Sequence, residues 1–215
     1  MNENKLREDV CIWAKSVFER GLTGGATGNI SARLEDGGLL VTPTGSSLGQ
    51  LDPARLSRFD AKGVLIDGDP PTKEVDLHAA FYETRSTAGA VVHLHPTHSV
   101  ALSTLPETDA DCFLPPITPY SIMRLGKVKL LPFFVPGDPA MGDAVRGLAG
   151  KRSAVMLAHH GPVVAAKDLE AAVYAIEELE ETAKLALLLR GMGAKMLSPE
   201  DIQKVVTRFD VDWDV

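Results

Sequence analysis

The sequence predicts a single α/β domain over residues 1–215, with a mostly antiparallel central sheet flanked by helices. Strands and helices are interspersed without a regular βαβ rhythm. The first strands follow one another closely, as sequential antiparallel pairing requires. No internal repeat or low-complexity linker divides the chain, and 215 residues suffice for one sizeable core.

Leu6, Val10, Trp13 and Val17 recur at helical spacing and Gly21 supplies a stop, so an amphipathic helix is expected over residues 3–20. The segment Gly24-Gly25-Ala26-Thr27-Gly28 is too glycine-rich for a helix interior and feeds a strand through Asn29-Ile30-Ser31. Leu39-Leu40-Val41-Thr42 reads as a second strand, followed by a turn at Pro43-Thr44-Gly45-Ser46-Ser47. Val64-Leu65-Ile66, bounded by Gly63 and Asp67-Gly68-Asp69, reads as a third. Thr72 is the expected N-cap of a helix whose Val75, Leu77, Ala80 and Phe81 form a buried side reaching Arg85.

A strand over residues 90–95 comes next, then a short helix over 97–105. Residues 106–120, with Pro106, Pro115, Pro116 and Pro119, read as loop. Further strands are expected over 130–135 and 154–157, separated by a helix around 139–149. Asp168 caps a long helix with Leu169, Ala172, Ile176, Leu179, Ala183 and Ala186 on one face, stopped by Gly191 and Gly193. That pattern is too short for a convincing coiled coil and suits a helix packed on a sheet.

The composition, with 45% hydrophobic and 24% charged residues, is that of an ordinary globular protein. The balance of 22 basic against 29 acidic residues gives a net charge of −7 without a Lys/Arg block, which argues against nucleic acid. The N-terminus lacks an apolar signal core, and no stretch is long and apolar enough to span a membrane, so a cytoplasmic protein is expected. Cys11 and Cys112 lack a CxxC pattern and read as reduced, buried thiols.

Chemistry gathers at Val91-Val92-His93-Leu94-His95. Residues two apart on a strand share a face, with Cα atoms roughly 6.5 Å apart, so His93 and His95 can reach one metal ion. Burying two titratable rings together is costly unless something bridges them. His159-His160 ends a second apolar run, and Gly161 lets backbone come close to a metal or ligand. One of these two histidines is the natural third ligand; three histidines with an open fourth position suit catalytic rather than structural zinc.

Phosphate is the second theme, because Gly28-Asn29, Thr44-Gly45-Ser46-Ser47 and Thr72-Lys73 offer amide and hydroxyl donors. Each is also an ordinary turn sequence. Glu74, in a first helical turn, either complements the helix dipole or ligates the metal and moves a proton. Asp76 and His78 on the same helix are expected behind the ligands or on the surface. Tyr120 is not distinguished by its local sequence.

Together, Gly28-Asn29-Ile30-Ser31, Thr42-Pro43-Thr44-Gly45, Glu74, His93-x-His95 and His160-Gly161 resemble the class II aldolase and adducin-like family, in that family's order and over nearly the whole chain. The resemblance implies that His93, His95 and His160 hold one Zn²⁺ and that Glu74 is both fourth ligand and acid/base. It further implies that Gly28, Asn29, Thr44, Gly45, Thr72 and Lys73 bind the substrate phosphate. Tyr120 matches a tyrosine that reaches a neighbouring subunit's site, in a homotetramer with active sites at subunit interfaces. Where sugar-phosphate aldolases carry two serines before the glutamate, this chain has Thr72-Lys73, and Pro-Thr-Lys-Glu-Val-Asp-Leu-His looks like the 3-oxo-tetronate 4-phosphate decarboxylase branch. A lysine suits a substrate bearing both phosphate and carboxylate. The implied reaction yields dihydroxyacetone phosphate and CO₂ through an enediolate held by zinc. The alternatives are a fuculose-phosphate or ribulose-phosphate type aldolase or epimerase, and a non-catalytic adducin-like interaction domain.

Overall fold

The computed structural model describes residues 2–213, so residues 1, 214 and 215 of the expected domain lie outside it. In chain order the elements of the first half are α1 (Glu3–Glu19), β1 (Asn29–Arg33), β2 (Leu39–Val41), β3 (Ser57–Phe59), β4 (Leu65–Asp67), α2 (Val75–Thr84), β5 (Ala90–His93) and α3 (Thr97–Ser103). The second half adds α4 (Pro119–Leu125), β6 (Lys129–Leu131), α5 (Ala140–Gly147), β7 (Ala154–Leu157), β8 (Gly161–Ala166), α6 (Leu169–Leu189) and α7 (Pro199–Phe209). The strands form one sheet in the order β4-β3-β2-β1-β5-β8-β7-β6. Neighbours pair antiparallel except β6 with β7, so the sheet is mixed but mostly antiparallel.

Period-two alternation in the central strands creates two cores. Ile30, Ala32, Ala90, Val92, Met156 and Val164 pack against Val10, Ala14 and Val17 of α1 and Ala172, Ile176 and Leu179 of α6. Val91, Val155, Leu157, Val163 and Ala165 face the other way, onto Leu77, Ala80 and Phe81 of α2 and Met141 and Val145 of α5. Both faces are therefore dry, and each buried Val, Leu or Ile contributes about 1.5–3 kcal/mol. The long helix lies on β5 and β8, as its short apolar pattern suggests. Asp168 caps it by accepting from the Ala171 amide at 2.8 Å.

Several elements differ from the sequence expectation. The strand expected at 64–66 is the fourth, because Ser57-Arg58-Phe59 also joins the sheet. Its central residue is an arginine, buried because Glu3 and Asp36 pair with it. Thr72 does not cap α2: its amide donates to Thr42 O, its hydroxyl accepts from the Glu74 amide, and Glu74 itself stands at the N-cap. The histidine strand ends at His93 and β6 at Leu131, before Pro132, which has no N–H to donate. β8 escapes sequence reading because Pro162 argues against a central strand. There it presents its carbonyl, which accepts from the Leu94 amide. Helices α4 and α7 both begin at a proline that the sequence reading takes for loop or leaves unassigned. Cys11 and Cys112 are free thiols but only half-buried; burial raises both pKa values, that of Cys11 to about 11.

The topology brings the chemistry to one end of the sheet. β2, β5 and β7 finish there, while β1, β8 and α2 begin there.

Candidate metal centre and active site

His93 and His95 leave the end of β5, and the β7–β8 hairpin carries His160 to the same place. Gly161 makes that approach possible: a Cβ there would stand 2.2 Å from Leu94 O and 3.1 Å from the His95 ring. The close contact is thus with the neighbouring strand and a ligand candidate's ring. Its hairpin partner His159 adopts φ +60° and donates its amide to Ser103 Oγ, so its exposed side chain lies beside Phe133, outside the cluster.

His93 Nδ1 donates to Pro162 O at 2.9 Å, which fixes the ring tautomer and leaves the Nε2 lone pair facing inward. His95 Nε2 lies 3.0 Å and His160 Nε2 3.4 Å from that atom. Glu74 completes the group, with Oε2 3.4 Å from His93 Nε2 and Oε1 3.3 Å from His160 Nε2. Donors at about 2.0–2.1 Å around a tetrahedral cation stand roughly 3.3 Å apart. The donor set therefore fits a divalent ion, and the lone pairs it aims at one another are otherwise repulsive. Burial pushes the His93 and His95 pKa values down to about 3 and lowers that of His160, so all three rings are neutral, as ligands must be.

Glu74 sits at the α2 N-cap with no capping bond from its side chain. Its carboxylate instead accepts from Asn29 Nδ2 at 2.8 Å, so it serves the cluster rather than the helix dipole.

A family model described as the class II aldolase and adducin N-terminal domain matches residues 8–187. The chain belongs to the class II aldolase and adducin family. It is similar to 3-oxo-tetronate 4-phosphate decarboxylase of Pectobacterium atrosepticum, with 44% identity over 95% of this chain and 94% of that one. L-fuculose phosphate aldolase of Escherichia coli is 30% identical over 97% of this chain and 96% of its own length. Among solved structures, Escherichia coli YgbL superposes with a TM-score of 0.92 at 44% identity, covering 94% of this chain and 98% of that one.

Within this class II aldolase fold the three candidate phosphate loops meet. The Thr44 amide donates to Pro70 O and the Thr72 amide to Thr42 O, which stitches the Thr44-Gly45 turn to the Thr72-Lys73 segment. Thr42 Oγ1 accepts from the Ile30 amide, tying the same turn to the strand that starts at Asn29. Thr44, Gly45 and Lys73 are exposed and Thr72 is buried. Gly28 adopts φ +79°, and a Cβ there would stand 3.0 Å from His93 O.

One expectation changes in detail. The Asn29 side chain does not lie open as an anion donor: its Nδ2 holds Glu74 and its Oδ1 accepts from His78 Nε2 at 2.5 Å. Tyr120 lies at the start of α4, 56% exposed, with no recorded contact to the cluster. Asp76 is at the surface, paired with Arg146. His78 is wholly buried. Sequence reasoning missed Ser31, Tyr82 and Pro162, which support the group from behind. A signal for the first two exists: Glu74, His78 and Tyr82 are four apart on a helix, and Asn29 and Ser31 two apart on a strand.

Proposed function

We propose that this protein is a 3-oxo-tetronate 4-phosphate decarboxylase, producing dihydroxyacetone phosphate and CO₂. The observation that carries the reading is the convergence of His93, His95, His160 and Glu74, with the three imidazole donors within 4.8 Å of one another and Glu74 within 3.4 Å of two of them, beside three anion-suited loops. The choice of decarboxylase within the family is supported by 44–45% identity to proteins of that name, against 30% to fuculose phosphate aldolases.

In this reading His93, His95 and His160 hold one Zn²⁺, with Glu74 as fourth ligand in the resting state. Bound Zn²⁺ supplies Lewis acidity to the substrate's C3 carbonyl, worth several kcal/mol. Gly28, Thr44, Gly45 and Thr72 hold the phosphate through amide and hydroxyl donors, and Asn29 contributes its backbone while its side chain orients Glu74. Lys73, which makes no recorded ion pair among the described residues, offers its ammonium to the second anionic group. When CO₂ leaves, the electrons of the C1–C2 bond pass toward the C3 carbonyl, and Glu74, protonated from solvent once the substrate has displaced it, delivers that proton to C2. Tyr120 of a neighbouring copy takes part in that proton movement, in a cytoplasmic homotetramer whose sites lie between subunits. Residues 1–215 act as one domain.

The deciding experiment adds synthetic 3-oxo-tetronate 4-phosphate to zinc-loaded protein and follows dihydroxyacetone phosphate and CO₂ together. Stoichiometric release of both, lost in Glu74→Gln, is the expected result. Turnover of fuculose 1-phosphate or ribulose 5-phosphate instead makes the chain an aldolase or epimerase, a reading that the exposure of Lys73 favours. A folded protein that takes up no metal would belong with the non-catalytic adducin-like domains.

A further inference from the structure

Behind Glu74 and Asn29 runs a buried polar chain whose further members, His78, Ser31 and Tyr82, have no part in the reaction described so far. Asn29 bridges Glu74 Oε2 at 2.8 Å and His78 Nε2 at 2.5 Å. His78 Nδ1 lies 2.7 Å from Ser31 Oγ, and Ser31 Oγ lies 2.9 Å from the Tyr82 hydroxyl. All five residues are buried, His78 and Ser31 completely.

The direction of each bond follows from the carboxylate end. An ionised carboxylate only accepts, so Asn29 turns its NH₂ to Glu74 and its carbonyl to His78. His78 must then carry its proton on Nε2. Its bare Nδ1 accepts from the Ser31 hydroxyl, whose oxygen accepts in turn from Tyr82. Every member donates toward Glu74.

Resting on the reading of Glu74 as the acid/base, we propose that His78 is a positioning residue: through Asn29 it fixes the orientation of the Glu74 carboxylate within the cluster. Ser31, backed by Tyr82, supplies the donor that the bare Nδ1 of this tautomer needs.

The test compares zinc-loaded wild type with His78→Leu and His78→Gln, measuring kcat, KM and bound metal well below each melting temperature. Leucine cannot hold Asn29, which becomes free to turn its carbonyl toward Glu74. Glutamine keeps an amide N–H within reach of Asn29 and an oxygen for Ser31. The expected result is a fall in kcat of about 10–100-fold for the leucine variant, with KM and metal content unchanged, and recovery of most of it in the glutamine variant. An unchanged kcat in His78→Leu, or a glutamine variant no better than the leucine one, overturns the proposal. Should His78→Leu fail to fold, Ser31→Ala takes its place: a fall in kcat at constant KM supports the chain, and an unaltered kcat overturns it. If wild type itself releases no CO₂, the decarboxylase reading has failed on its own. The positioning claim is then read from crystal structures, where loss of the Asn29–Glu74 bond in His78→Leu and its retention in His78→Gln support it, and its retention in both refutes it.

Discussion

At the scale of single residues, the centre is defined by imidazoles kept neutral by burial. The consequence for metal is direct: the zinc-loaded protein should carry one ion per chain by elemental analysis. His93→Ala should lose it, together with at least about a hundredfold of activity, since removing a ligand leaves the site too few donors. Stripping the ion with a chelator should abolish turnover and adding Zn²⁺ should restore it. A second consequence concerns pH. Burial holds His78 at a pKa of about 4, against an ordinary value near 6.5. Below pH 6.5 the unfolded chain takes up a proton there that the folded chain refuses until about pH 4, so stability is full above 6.5 and declines as pH falls through that window. Urea midpoints of the metal-free protein at pH 7.5 and 4.5 should differ more for wild type than for His78→Gln. Equal differences would mean that His78 is not held neutral.

At the scale of elements, the ligands depend on how strands and helices are terminated. α3 begins at Pro96 with no side-chain cap of its own, immediately after His95. Glu180, buried in α6, supplies the cap, accepting from the His98 and Ser99 amides at 2.9 and 2.8 Å and from His98 Nδ1 at 2.7 Å. Glu180→Ala strands those donors and should cost about 2–3 kcal/mol in chemical denaturation. It should also weaken metal binding, because His95 lies at the start of the disturbed segment. Gly161→Ala tests the other side. With no room between its Cβ and Leu94 O, β8 must shift off β5, at a cost of about 1–3 kcal/mol or more. Metal affinity should fall with it, since His160 immediately precedes that strand.

At the scale of the whole molecule, Tyr120 is the informative residue. It stands exposed on α4 with no recorded contact to the cluster of its own chain, which is the arrangement expected if it serves a neighbouring copy. Sedimentation should give a mass of four chains. Tyr120→Phe and His95→Ala should each be nearly inactive alone, yet mixed oligomers refolded from both should regain activity, because some sites then combine an intact Tyr120 with an intact metal centre. Absence of complementation would return Tyr120 to its own subunit or to the bare surface. Among the described residues no helix is long and apolar enough to cross a membrane.

Much of this was legible in the chain, for reasons that are local. The His93-x-His95 pair declares itself because residues two apart in extended chain share a face, even though β5 itself stops at His93. His160-Gly161 and the three donor loops carry residue types that only certain turns and ligands require. Helices α1 and α6 announce their buried faces by spacing and their ends by Asp168 and the following glycines. Non-local contacts decided the rest. Arg58 is a strand residue because Glu3 and Asp36 neutralise it, and Pro162 stays in a central strand because its carbonyl serves both Leu94 and His93. Asn29 reads as a phosphate donor until His78 and Glu74 claim its side chain from across the sheet. Sequence by itself narrowed the candidates for binding a metal and an anion, leaving His159 and His160 as alternatives, since residue type and period go that far. Tertiary structure alone decided which of them meet and which way each hydrogen bond points, because those are settled by partners far apart in the chain, Asn29 with Glu74 and His93 with Pro162 among them.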